Sequence, residues 1–281
     1  MKRSVTRLIV ENICLLIPLI IYGIYKNGYL IYQKNLISIL EIFKPIVLTL
    51  ISVLIKIIID YVRYKKIRID YNLVYVILIS MIMPYNINIF LYMALFAIVY
   101  ILTLFLDKFL KVNKVCFIYL IIILIHFLLT DFTFFNTLEQ NYNFSFRFID
   151  YFFGRSIGSI STTNIFLSLV AYIYLINSFY YKKDIPFVIN LTYLILAFIY
   201  FFITKNSGFL LNSELIFASI FVCALPEYSP YKVNHQIIYA VCIGVFSFIL
   251  SITFNSIIAV YLVTFIMSIV NLLLSRLNLT K

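Results

Sequence analysis

The stretch IFLYMALFAIVYILTLFL, Ile89–Leu106, decides the class of this protein. Its 18 residues include no charge, no proline and no glycine. At about 1.5 Å of rise per residue, a helix of that length nearly covers the ~30 Å hydrocarbon core of a bilayer. The pattern recurs on both sides of it. Apolar runs occupy Leu8–Tyr25, Pro45–Val62, Tyr71–Met83, Val115–Thr130, Asn164–Tyr181, Ile185–Ile203, Leu211–Leu225, Ile237–Thr253 and Ile257–Leu274. The expectation is an all-α integral membrane protein, with most of its 281 residues in about ten transmembrane helices. Two of these runs, Tyr71–Met83 and Leu211–Leu225, are short and meet a proline, Pro84 or Pro226. A segment too short to cross alone suits a broken helix that lines an internal site.

Composition agrees. The chain is 64% hydrophobic and 12% charged, against about 45–50% and about 25% in soluble domains. Its mean hydropathy is +1.06. Trp is absent beside 24 Tyr and 28 Phe, so Tyr must supply any aromatic belt. The net charge of +11 does not point to nucleic acid, because the basic residues sit in short loops between apolar runs. Cys14, Cys116, Cys223 and Cys242 fall in apolar stretches without a CxxC pair, which argues against a disulfide framework or a zinc site.

Loop charge orients the chain. Lys2, Arg3 and Arg7 precede the first run; Arg63, Lys65, Lys66 and Arg68 follow the second; Lys108, Lys111 and Lys114 follow the fourth. Lys182 and Lys183 follow the sixth, and Arg276 and Lys281 close the chain. The opposite loops are nearly neutral, their richest basic pair being Lys26 and Lys34. Both termini of this multi-pass protein are therefore expected in the cytoplasm, at the cell membrane. Residues 1–281 form one membrane domain, with halves at about 1–130 and 150–281 and an outward-facing loop over 131–155. Leu78–Asn86 and Phe221–Ser229 echo each other around Pro84 and Pro226, each in the third run of a five-run half. Five is odd, so the halves are expected to be inverted repeats.

A longer pattern lies in the second half. Phe153-Gly154-Arg155-Ser156-Ile157-Gly158-Ser159-Ile160-Ser161-Thr162-Thr163-Asn164 resembles the FLGxxxGSxGETS segment of the NqrB/RnfD family of membrane proteins. Members of that family serve in the Rnf electron-transport complex and in the sodium-pumping NADH:quinone oxidoreductase. Phe221–Pro230, His235–Tyr239 and Ile243-Gly244 resemble its FMATDPVTSP, GQxIYG and IG stretches. Asp70 with Ile79–Pro84 resembles its DGS…LxLP. The resemblance runs from about Pro45 to the C-terminus. It implies a fold similar to urea and ammonium channels. It also implies a membrane subunit of an Rnf/Nqr-type ion-translocating complex that helps pass electrons across the membrane via flavin, with other membrane subunits as partners. A flavin-less transporter or channel of the same fold, or a structural scaffold subunit, is the alternative.

Several positions depart from the family pattern. Thr162 stands where the Glu of GETS would be, Leu225 where the Asp of TDP would be, and Glu214 where the family has Gly. Family members hold FMN through its phosphate on the Thr of DxxSGATPL. Asp131 and Thr137 keep that spacing, but Phe134-Phe135-Asn136 replaces the small residues between them. Thr137 is therefore expected not to carry FMN covalently. A non-covalent flavin would lie near Gly154–Thr163, where Gly158, Ser159, Thr162 and Thr163 lead into a helix N-terminus able to receive a phosphate. The same hydroxyls could instead cap that helix.

Other ionisable groups fall in or near the runs. Lys56 and Asp60 lie i,i+4 and can pair, Glu11 lies in the first run, and His126 suits a hydrogen-bonded core residue. Glu214 opens a short run, where a helix N-terminus stabilises a carboxylate. It is also a candidate for an ion path, since ionisable groups inside a membrane are usually functional.

Overall fold

The computed structural model describes residues 2–33, 37–107, 111–129, 148–156, 158–178, 181–205, 208–254 and 256–276. Among these there are helices, turns and no strand. Helix α1 (Lys2–Gly23) runs on through a wide π turn (Ile24–Tyr29) to Tyr32. There follow α2 (Ile39–Ile42), α3 (Lys44–Tyr64), α4 (Asn72–Met81), α5 (Ile89–Leu106), α6 (Lys114–Leu129) and α7 (Phe148–Phe152). The second half holds α8 (Ile165–Leu175), α9 (Asp184–Thr204), α10 (Ser213–Ala218, continued as a π turn over Ser219–Cys223), α11 (Val233–Thr253) and α12 (Ser256–Arg276).

Among the described residues, six helices are long and apolar enough to cross a membrane: Thr6–Tyr32, Lys44–Tyr64, Ile89–Leu106, Asp184–Thr204, Val233–Thr253 and Ser256–Arg276. Four shorter apolar helices, Asn72–Met81, Lys114–Leu129, Ile165–Leu175 and Ser213–Cys223, fall at the other expected runs. The sixth run breaks earlier than hydropathy suggests, at Leu175, and the chain turns at Asn177 and Ser178.

Side chains are sorted for lipid rather than water. Phe90, Ile98, Phe105, Leu128, Phe202 and Ile203 are all exposed. The interior meanwhile takes hydroxyls and rings. Along α5, Tyr92, Phe96 and Tyr100 follow an i,i+4 row, stacked at 5.6 and 5.7 Å between ring centroids. Tyr119 of α6 meets Tyr261 of α12 at 4.6 Å.

The two broken helices set the geometry. Helix α4 stops at Met81, three residues before Pro84, and α10 stops at Cys223, three before Pro226. Carbonyls freed by such a break need donors in a low-dielectric setting. Met81 and Met83 receive the Ser161 and Ile160 N–H groups at 3.2 and 3.0 Å. Ile220 receives the Tyr181 hydroxyl at 3.0 Å, and Val222 the Asn113 side-chain amide at 3.2 Å.

Polar contacts gather at the two ends of this helix pair. At one end, Tyr75 donates to Glu227 at 2.9 Å, Lys114 reaches Asn72 at 3.0 Å and Asp107 at 2.6 Å, and Asn271 donates to the Tyr228 carbonyl at 3.1 Å. Lys182 there donates to the Pro226 and Ser229 carbonyls at 3.1 and 2.6 Å. At the other end lie Met83, residues 158–164 and Glu214. The start of α4 thus meets the end of α10, and the two run antiparallel.

Candidate functional site

The second of these ends brings together most of the residues singled out from sequence. Segment 158–164 enters the interior as irregular backbone. Gly154, at φ 88°, turns the chain into it. Asn164 then starts α8 and caps it with its own side chain, which accepts from Leu167 N–H at 2.9 Å. The serines and threonines before it are therefore not the cap, and their groups point elsewhere.

The Ser159 N–H and the Thr162 hydroxyl point at Glu214. Its carboxylate is 1% exposed and accepts from the Ser159 N–H at 2.7 Å, from the Thr162 hydroxyl, and from the Tyr261 hydroxyl at 3.0 Å. Gly158 lies so close that an added Cβ would come within 2.9 Å of Glu214 Oε1, tighter than real contacts of this kind. Asn212 positions the carboxylate by capping α10, accepting from Leu215 N–H at 3.1 Å. Thr163 turns away and receives the Lys26 ammonium at 3.3 Å.

A cleft of about 170 Å³ reaches this group, lined by Ser156, Tyr193, Asn212, Ser213, Glu214 and Ser256 among others. Gly158, Ser159, Thr162 and Thr163 are thus brought together, with Glu214 in their midst. Thr137 and Asp131 lie outside the described residues.

The fit to a flavin phosphate can be judged from the donors. The loop N–H and hydroxyl that would bind an anion are already bonded to a carboxylate, and the helix behind them is capped by Asn164. A phosphate placed there would meet a like charge at hydrogen-bond distance. The described residues do not fit a flavin phosphate at this loop.

Two participants differ from what the sequence leads one to expect. Hydropathy ends the first span at Tyr25 and puts Lys26 in a loop. In the structure the helix continues, and Lys26 (5% exposed) and Asn27 (1%) are buried in it. Lys26 also donates to the Ser156 carbonyl, and Asn27 donates to the Ile160 carbonyl at 2.7 Å. A signal for this is present, since the charge interrupts one continuous apolar run over Thr6–Tyr32. Tyr261 is the other, and nothing separates it in the sequence from the 23 other tyrosines.

The remaining candidates lie elsewhere. Lys56 does pair with Asp60, at 2.7 Å, and also meets Asp70 at 3.0 Å. Glu11 pairs with Arg7 at 2.7 Å. His126 is buried on α6. No group of three His, Cys, Asp or Glu residues suited to a metal occurs among the described residues.

The sequence of this chain matches a known protein family. Its model, described as the NQR2, RnfD, RnfE family, matches residues 1–280. The chain belongs to this family. The match covers the N-terminal run as well as the stretch from Pro45 onward. It supports a multi-pass membrane protein from a family of subunits of Rnf- and Nqr-type complexes. No curated protein matches the chain.

Proposed function

We propose that the protein is a membrane-embedded subunit of an Rnf/Nqr-type ion-translocating electron-transport complex at the cell membrane, helping electrons to cross the membrane via flavin. The observation that carries this reading is the family match over residues 1–280. Flavin, when bound in such a complex, supplies the redox chemistry. The chain's own residues supply the frame: α4 and α10 break inside the membrane, and residues 158–164 join them. In this proposal Thr137 carries no covalent FMN. The proposed architecture is two inverted five-helix halves with both termini in the cytoplasm, supported by the antiparallel α4 and α10 and by Met83 and Pro226 lying at opposite ends.

One observation favours a second reading, a flavin-less ion or solute transporter of the same fold. The donors suited to a flavin phosphate are bonded to a buried carboxylate, Glu214. The experiment is gentle solubilisation of native membranes and isolation of the tagged chain. Co-isolation with further membrane subunits and with flavin and iron–sulfur absorbance is expected. A chain that comes out alone, in the native host and at native expression, excludes the complex. Intact mass settles Thr137: a mass increase of one FMN, lost in Thr137→Ala, would reverse the statement about covalent attachment.

A further inference from the structure

The resemblance leaves this chain with an unusual pair of exchanges. At 162 a threonine stands where the family motif has a carboxylate, and at 214 a carboxylate stands where the family has glycine. The positions are 52 residues apart in sequence. In the structure they touch, since the Thr162 hydroxyl donates to Glu214 Oε1. The acid missing from the loop is thus supplied from α10, at the same place. We infer that Glu214 is a relocated carboxylate which binds and releases a proton at this end of the membrane domain, loaded through the adjoining cleft.

Three observations support this. First, the group is held inside yet reachable. Its side chain is 1% exposed overall, but it lines the 170 Å³ cleft beside the polar groups of Ser156, Asn212, Ser213 and Ser256. A carboxylate in such a place changes charge by taking a proton, because an unpaired buried charge is expensive.

Second, the partners suit a proton better than a metal cation. A sodium ion needs oxygen lone pairs around it. Glu214 faces a backbone N–H from Ser159, which has no lone pair to offer, and two hydroxyl donors from different elements. The hydroxyls of Thr162 and Tyr261 can rotate their hydrogens. When the carboxylate takes a proton delivered through the cleft as hydronium, which leaves as water, it becomes a carboxylic acid whose O–H donates to one of these oxygens. The hydroxyl turns to accept, and the bond count is kept.

Third, the surroundings permit the charge change. The groups facing Glu214 are Tyr261 from α12, Tyr119 from α6 packed at a tilt against Tyr261, and Thr162 and Ser159 from the loop. The Lys26 ammonium of α1 binds the neighbouring Thr163. The three donors hold the anionic state, and the same hydroxyl oxygens can accept from the neutral acid.

This inference rests on the ion-moving part of the proposed function and names the ion at its site. It is tested on the purified chain in nanodiscs, so that a failure here leaves the complex standing and loss of the complex leaves this standing. Infrared difference spectra are recorded across a pH titration for the wild type, Glu214→Gln and the double variant Thr162→Glu/Glu214→Gln. A protonating carboxyl band is expected in the wild type, lost in Glu214→Gln and restored in the double variant, where the acid returns to the loop. The single and double variants are compared only as monodisperse samples; the double variant keeps the test open should Glu214→Gln fail to fold. Identical titrations in wild type and Glu214→Gln would overturn the inference. So would a folded double variant without the band, or a wild-type band that shifts with sodium at constant pH.

Discussion

Replacing Lys56 by methionine isolates one interaction whose cost can be worked out beforehand. The Lys56 ammonium is 0% exposed and sits 2.7 Å from Asp60 and 3.0 Å from Asp70. It also donates to the Arg68 carbonyl. Methionine keeps the length of the side chain and removes its charge. Asp60, at 4% side-chain exposure, is then left as an uncompensated buried carboxylate. Breaking a buried pair from one side costs about 3–5 kcal/mol. Asp70 is 37% exposed, so water screens it and it adds less than about 1 kcal/mol. Lys56→Met is therefore expected to lose about 3–5 kcal/mol in equilibrium unfolding in bicelles. Lys56→Met/Asp60→Asn should recover most of that, because the stranded charge is gone, while Asp70→Asn alone should cost little. If Lys56→Met lies within about 1 kcal/mol of the wild type, or Asp60→Asn rescues nothing in its background, the cost assigned to the stranded charge is wrong.

Three further expectations are independent of this one. Asn113→Ala removes the cap of α6, where Asn113 accepts from Val115 and Cys116 N–H at 3.1 and 3.3 Å, and strips Val222 of its donor. A loss of about 2 kcal/mol is expected from the cap and the orphaned carbonyl together, read by the same unfolding assay. Burial lowers the Lys182 ammonium from its ordinary 10.5 to about 8. Between those values the unfolded chain holds a proton that the folded chain has released, so wild type should gain stability over Lys182→Met as pH rises from about 8 toward 10.5. A flat difference across that window would contradict it. In a cysteine-free background, Arg155→Cys should react with an impermeant thiol reagent on whole cells and Lys66→Cys only after permeabilisation; the opposite result would turn the topology over.

The helical class and the positions of the apolar helices were legible because lipid imposes a simple rule on composition. Ile89–Leu106 in the sequence is α5 in the structure, residue for residue. The proline-marked breaks were legible too, since Pro84 and Pro226 sit where a helix cannot continue. What hydropathy could not show was a charged residue inside a continuing helix. It ends the first span at Tyr25, whereas Lys26 is tolerated because carbonyl and hydroxyl oxygens await its ammonium. The hydroxyl-rich loop was visible as a polar segment between apolar runs, but what its groups bond to was not. Whether Ser159 and Thr162 cap a helix, hold a phosphate or hold a carboxylate depends on α10, more than 50 residues away. Local sequence carries no record of that partner.

The wide turn at Ile24–Tyr29 has a consequence for how α1 tolerates change in length. In a regular helix each residue advances the side-chain direction by about 100°, so neighbours cannot share a face. Here Lys26, Asn27 and Gly28 are buried in succession while Tyr25 and Tyr29 stay outside and stack on each other. A π turn of this kind amounts to one residue spliced into an α-helix. Removing a single residue from it would let the helix close normally, hydrophobicity barely altered and the turns on either side still in register, but the widened buried patch would be gone. Lys26 and Asn27 could then no longer both face Ser156 and Ile160. The span is thus insensitive to which apolar residues it contains and intolerant of losing even one, a constraint written in its count and not in its chemistry.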